Sequence, residues 1–339
     1  MKAEASVPEI PHGAALLSLA QAALEDLKAL RTWGSQTPGH PEYGHTDHIE
    51  ITTGPLGQGI ASATGFAYAQ RFERGLFDPT AASGSSPFDH FIYVVAGDGD
   101  LQEGVSAEAA SLAGHQELGN LIVFYDANQI SIEGETDIAF SEDVSARYES
   151  YGWDVHTIDF GSQDNYSEDV DAVMAAISAA KKETGKPSLI TIKTVIGWPA
   201  PTKQNTGKIH GSALGGDEVA GVKKVLGMNP EESFVVPTDV IEHTRGLRDR
   251  SSEHRAEWNQ RFEAWQGANP EAAALLARLQ AQELPDLEAV LPSFDGVSSL
   301  STRQASGDVI NALASVLPQM WGGSADLSES NLTTIKGAL

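Results

Sequence analysis

A chain whose short, unbroken apolar runs recur between helix-length segments has few folds open to it. Here the runs are "HFIYVVA", "NLIVFYD", "WDVHTIDF" and "SLITIKTVI", rich in β-branched and aromatic residues. Such runs read as buried strands, as in a parallel sheet whose two faces are both covered. The stretches between them, 60–76, 106–118 and 168–183, read as helices. This alternation predicts an α/β fold: a doubly wound parallel sheet with helices on both faces, binding ligands outside the carboxyl ends of its strands.

The 339 residues allow two domains of ordinary size. From about Asn229 the texture turns to charged helical sequence broken by Pro230, Pro270 and Pro285, which reads as an interdomain connection. After it, "TRQASGDVINALASVLPQMWGGSADLSESNLTTIKGAL" opens a new helix–strand pattern. The predicted division is therefore 1–228, 229–298 and 299–339, the last being the beginning of a second α/β domain.

A formal net charge of −25 disfavours nucleic acid and anionic membranes as partners. A small phosphorylated ligand would need a local cation, backbone N–H groups or a few placed bases. No cysteine is present, which excludes disulfides, cysteine-ligated zinc and thiol catalysis. The N-terminus, "MKAEASVPEIPHGAALLSLAQAALEDLKALRTW", lacks the pattern of a signal peptide, and no apolar run approaches membrane-spanning length. The expectation is a cytoplasmic protein.

In "VVAGDGD", Asp98 follows a strand-like run and precedes a helix. An isolated Gly-Asp-Gly is a turn. One strand later, however, "LIVFYDANQISIEG" places Asn128 at the corresponding strand end. Hard oxygen ligands on neighbouring strand ends suit Mg²⁺ or Ca²⁺ rather than zinc, with the Ile130 carbonyl as a third donor and open positions for diphosphate and water. An EF-hand is excluded, because Glu103 and Ala109 stand where its loop glycine and bidentate glutamate belong.

The loop "EITTGPLGQG" brings Gly54, Gly57 and Gly59 to the start of a helix, a setting equally open to an anionic ligand and to a packing turn. It completes neither a dinucleotide fingerprint nor a P-loop. His40, His45 and His48 lie close together in "GHPEYGHTDH", in a context unlike that of a histidine metal site. His40, between Gly39 and Pro41, is the best of them to face a pocket. A last loop holds Lys208 and His210 among glycines.

Taken together, "TPGHPEYGHT", "TTGPLGQG", "GDGDLQEG", "SLAGHQELGNLIVFYDANQISI", "IGW", "HGSAL" and "GGSADLSESNLT" closely resemble the transketolase family, particularly its bacterial members, from about Leu27 to Lys336. The resemblance implies thiamine diphosphate held through Mg²⁺, with Ca²⁺ as a substitute, and transfer of a two-carbon glycolaldehyde unit from a ketose phosphate to an aldose phosphate. It further implies the thiamine diphosphate-binding fold, with 1–228 as the diphosphate-binding domain and 299–339 as the opening of the pyrimidine-binding domain. Asp98, Asn128 and the Ile130 carbonyl match metal ligands. Gly54, Leu56, Gly99, Ile196 and His210 match cofactor contacts, as does Asp326 from the partner subunit. His40 and His210 match histidines on the sugar hydroxyls that assist proton transfer. Arg303 and Ser330 match binders of the substrate phosphate. Glu103 and Glu108 match interface carboxylates of a homodimer.

Two departures qualify the resemblance. Family members carry Ser-Gly-His-Pro and Asn-Gly-His segments that the residues before Leu27 do not supply, and a cofactor-activating glutamate beyond the last residue here. Loss of that glutamate costs on the order of 10²–10⁴ in rate, so the chain alone is expected to be nearly inert. A noncatalytic or split-subunit module that binds the same cofactor, and a related ketol transferase such as dihydroxyacetone synthase, are the alternative readings.

Overall fold

The computed structural model of the chain describes residues 24–47 and 49–337. The N-terminal stretch ahead of these, and His48, lie outside the described residues. Contacts divide the chain into two units: the described residues up to Arg71 with His90–Glu257, and Phe72–Asp89 with Trp258 to 337.

The first unit holds a parallel sheet in the order β1 (Ile92–Gly97), β2 (Leu121–Ala127), β4 (Ser188–Lys193), β3 (Asp154–Asp159). Each strand coincides with one of the four apolar runs, β1 and β2 extending one residue past theirs. Register places Gly97 beside Asp126, and Asp126 beside Ile192, so the strand ends line up. Successive residues point to opposite faces, and the apolar sequence fills both. Val94, Ala96, Leu121, Val123, Tyr125 and Leu189 meet residues of α1 (Gln58–Phe77), α3 (Gly104–His115) and α4 (Val144–Ser150). Ile122, Ile190 and Ile158 meet Ala176 and Ala180 of α5 (Val170–Ala180). Short α2 (Asp98–Gln102) joins β1 to α3. Packing is close where α3 passes the 151–153 turn: a Cβ on Gly114 would lie 1.9 Å from the Tyr151 carbonyl oxygen, and the Trp153 indole donates to the Ala110 carbonyl at 2.8 Å.

The expectation of strands covered on both faces fails at β1. Tyr93 and Val95 are 51 % and 81 % exposed. β1 is an edge strand, and the cluster around α5 gathers on Ile122, Ile190 and Ile158 without extending over it.

The second unit is organised by aromatic rings. Phe77 stacks on Phe88 with centroids 5.2 Å apart, Trp265 meets Phe88 edge-on at 4.8 Å, and its indole donates to the Phe77 carbonyl. In the first unit α6 (Gly216–Val225) precedes the charged sequence, which forms α7 (Thr238–Ala268), running from the first unit into the second, and α8 (Pro270–Gln280), with Pro270 at a helix start where its missing N–H costs nothing. Beyond them α9 (Thr302–Ala314) and α10 (Ser328–Asn331) form. The helix–strand pattern expected here yields helices but no strand among the described residues: "MWGGSAD", between the two helices, is irregular.

Burial separates two substitutions of similar chemistry. Leu189, fully buried, should lose about 2–5 kcal/mol on change to alanine, whereas Val95→Ala should stay within about 0.5 kcal/mol of wild type. Urea unfolding of both variants measures this, and equal losses would contradict the packing described.

Candidate functional site

Asp98 opens α2 directly after β1, and it is buried. Its Oδ1 accepts hydrogen bonds from the Tyr125 hydroxyl at 2.6 Å and from Gln129 Nε2 at 3.2 Å. Its Oδ2 accepts from the Gln129 backbone N–H at 2.9 Å. These donors are all neutral, and among the described residues no ion pair reaches the carboxylate. Burial therefore holds the Asp98 carboxyl above its ordinary range; the Tyr125 and Gln129 bonds oppose that shift and the charge of Asp126 adds to it. The Tyr125 phenol is itself pushed far upward by burial and by Asp98, so it remains a donor.

Asn128 follows the end of β2. Its Nδ2 donates to Asp126 Oδ2 at 3.0 Å, and its Oδ1 accepts from the Ile130 N–H at 3.0 Å. The intervening Gln129 takes a left-handed backbone, φ 61°, which folds the chain back so that its own N–H reaches Asp98. Asp98 and Asn128 line one cavity of about 730 Å³, together with Thr191, Lys193 and Thr194 near the end of β4 and Asp159 from β3. The cavity thus runs across the carboxyl ends of the sheet. Ile130 is buried and its backbone bridges to Glu135, but it is not among the residues lining the cavity.

A buried carboxylate lacking a cationic partner and a neighbouring carboxamide are hard oxygen donors, and the donor set fits Mg²⁺ or Ca²⁺. Among the described residues no three His, Asp or Glu side chains gather as a metal site, and His48 of the histidine cluster lies outside them. His45 Nε2 instead lies 2.7 Å from the Ser35 carbonyl oxygen.

The glycine loop docks on the same strand end. Leu56 covers Gly99, where an added Cβ would lie 3.1 Å from its Cδ1. Gly57, at φ +78°, donates its N–H to Asp100 Oδ1 at 3.1 Å, while Asp100 Oδ2 accepts from Gly97 N–H at 3.0 Å. The second aspartate of "GDGD" is therefore a clamp between loop and strand. One N–H that could have met an anion is already engaged by it.

His40 packs on Gly54, whose Cβ would fall 2.6 Å from the ring, so only glycine fits there. His40 lines a different cavity, with Arg31, Trp33 and His45. His210 is exposed at the end of a short 3₁₀ turn, Gly207–Ile209. Arg31 donates to the Gly211 carbonyl at 3.2 Å, tying the His40 loop to the His210 loop. Neither histidine lines the Asp98 cavity, although Asn205, whose N–H bonds the Ile196 carbonyl at 2.9 Å, does. Glu103 and Glu108 are exposed beside the glycine loop and on α3. In the second unit Arg303 sits in the first turn of α9, Asp326 just before α10 and Ser330 within it, all exposed.

Tyr125, Gln129, Asp126 and Asp100 escaped the sequence reading as site residues. Asp100 and Asp126 were visible as acids next to the motifs. Gln129 was not, because nothing in its residue type announces a left-handed backbone.

Because the folded Asp98 pKa lies above its unfolded value, its contribution to stability is full below the unfolded pKa and is lost as pH rises through the folded one. In cation-free buffer, Asp98→Asn should remove that decline, and chemical unfolding across the pH range above the ordinary carboxylate range measures it. A wild-type decline that persists in the variant would contradict the assignment.

A family profile described as "Transketolase, thiamine diphosphate binding domain" matches residues 14–285. The chain is 58 % identical over 315 residues to the transketolase of Mycobacterium leprae, covering 92 % of this chain and 44 % of that protein. It is 45 % identical over 316 residues to the transketolase of Geobacillus stearothermophilus, covering 93 % and 46 %. Among solved structures, the Pichia stipitis transketolase in complex with sedoheptulose 7-phosphate matches with a TM-score of 0.83 at 42 % identity, covering 96 % of this chain and 48 % of that one. The chain spans less than half the length of the relatives it matches. Profile, sequence identity and fold agree with one another, and the chain belongs to the transketolase family.

Proposed function

We propose that the chain forms the cofactor-binding part of a transketolase, which moves a glycolaldehyde unit from a ketose phosphate to an aldose phosphate in the pentose phosphate pathway. The observation that carries this reading is the pairing of Asp98 and Asn128 at one cavity on the strand ends. Their oxygens, with the Ile130 carbonyl, would hold Mg²⁺, and the cation would fix a diphosphate in a molecule whose net charge of −25 repels one. Bound thiamine diphosphate supplies the carbanion chemistry that cleaves and remakes the carbon–carbon bond.

The remaining roles belong to this chain's own groups. Gly54, Leu56, Gly99, Ile196 and His210 would shape the cofactor pocket, with glycine allowing the close backbone approach. His40 and His210 would exchange protons with sugar hydroxyls, Arg303 and Ser330 would bind the substrate phosphate, and Asp326 would contact the cofactor of a partner subunit. Glu103 and Glu108 would face the partner in a homodimer. In this reading residues 1–228 are the diphosphate-binding domain, 229–298 the connection and 299–339 the start of the pyrimidine-binding domain. The sugar phosphate in the Pichia stipitis complex supports the substrate class. A cytoplasmic setting belongs to the same proposal, and no helix among the described residues is long and apolar enough to cross a membrane.

Calorimetric titration with thiamine diphosphate tests the proposal. Binding should require Mg²⁺, and Asp98→Ala should abolish the Mg²⁺-dependent component. Unchanged binding by that variant would overturn the site.

A further inference from the structure

Asn128 can present its oxygen to a cation only if its carboxamide is held in one of two orientations that differ little in shape. Asp126 supplies that choice. A carboxylate only accepts hydrogen bonds, so the carboxamide edge facing it must be the amino group. In the structure Asn128 Nδ2 donates to Asp126 Oδ2 at 3.0 Å. The other oxygen of Asp126 accepts from the Thr194 hydroxyl, and the Thr194 N–H in turn reaches the Ala127 carbonyl oxygen at 3.4 Å. The carboxylate is thereby braced against the chain leaving β4, in a strand register that places Asp126 between Gly97 and Ile192. On the far side of the carboxamide, Oδ1 faces the Ile130 N–H, which agrees with the same orientation.

We propose that Asp126, braced by Thr194, is the positioning residue that aims the Asn128 carboxamide oxygen at the divalent cation. The inference rests on the cation site proposed above. Partners that orient a metal ligand typically change metal affinity 10–100-fold when removed. Asp126 could instead act merely as a nearby negative charge, and the two roles separate in a double-mutant cycle. A positioning residue acts through Asn128 and loses its effect once the carboxamide is gone, whereas a general charge effect survives.

The test is the affinity of the chain for Mg²⁺ at a fixed concentration of thiamine diphosphate, read by calorimetry, with the thermal unfolding midpoint of each variant recorded. Asp126→Asn should weaken binding by about 10–100-fold, and it should add no further loss in the Asn128→Ala background. Thr194→Val should give a smaller loss that likewise disappears in that background, and it carries the test if Asp126→Asn does not fold. Full affinity in both single variants, or the same loss in both backgrounds, overturns the positioning role while the cation site stands. Asp98→Ala and Asn128→Ala binding as tightly as wild type would overturn the cation site itself.

Discussion

A carboxylate taken out of water without a counter-charge is the constraint from which the rest of this molecule follows. Asp98 meets neutral donors, a phenol, backbone N–H groups and a side-chain amide, with the like-charged Asp126 nearby. Desolvation of an ionised group is costly unless something positive accompanies it. Neutral donors lessen that cost and leave it unfinished. In the proposed reading a divalent cation would complete the arrangement and would bring an anionic diphosphate to an acidic protein that otherwise repels it.

The sheet makes that arrangement reproducible. Parallel strands end at one level, and the pairing of Gly97 with Asp126 sets the Asp98 and Asn128 segments side by side. The buried residues of both faces keep the register from slipping, since a one-residue shift would turn Ile122 and Val123 to opposite sides. Asp100 then carries the same order outward, clamping Gly57 of the glycine loop to Gly97 at the end of β1.

Sequence alone disclosed the strands because their apolar runs are continuous, and it disclosed Asp98 and Asn128 because both follow strand ends. Features that depend on partners were hidden. The exposure of Tyr93 and Val95 follows from β1 lying at an edge, a property of strand order that no local pattern encodes. The irregular "MWGGSAD" lies between α9 and α10, and no strand forms near it in sequence among the described residues. The bond from Gln129 to Asp98 needs a left-handed residue 31 positions downstream. The separation of the His40 and Asp98 cavities was equally out of reach, because the loop that carries His40 is placed by Arg31 and by contact with Gly54.

The most direct test of this account is anomalous scattering from crystals of the chain soaked with Mn²⁺ and thiamine diphosphate, Mn²⁺ standing in for Mg²⁺ as another ion suited to oxygen ligands. The account expects a single strong peak between the Asp98 carboxylate and the Asn128 carboxamide oxygen. A cofactor bound with no peak there, or with the metal held by other side chains, would contradict it.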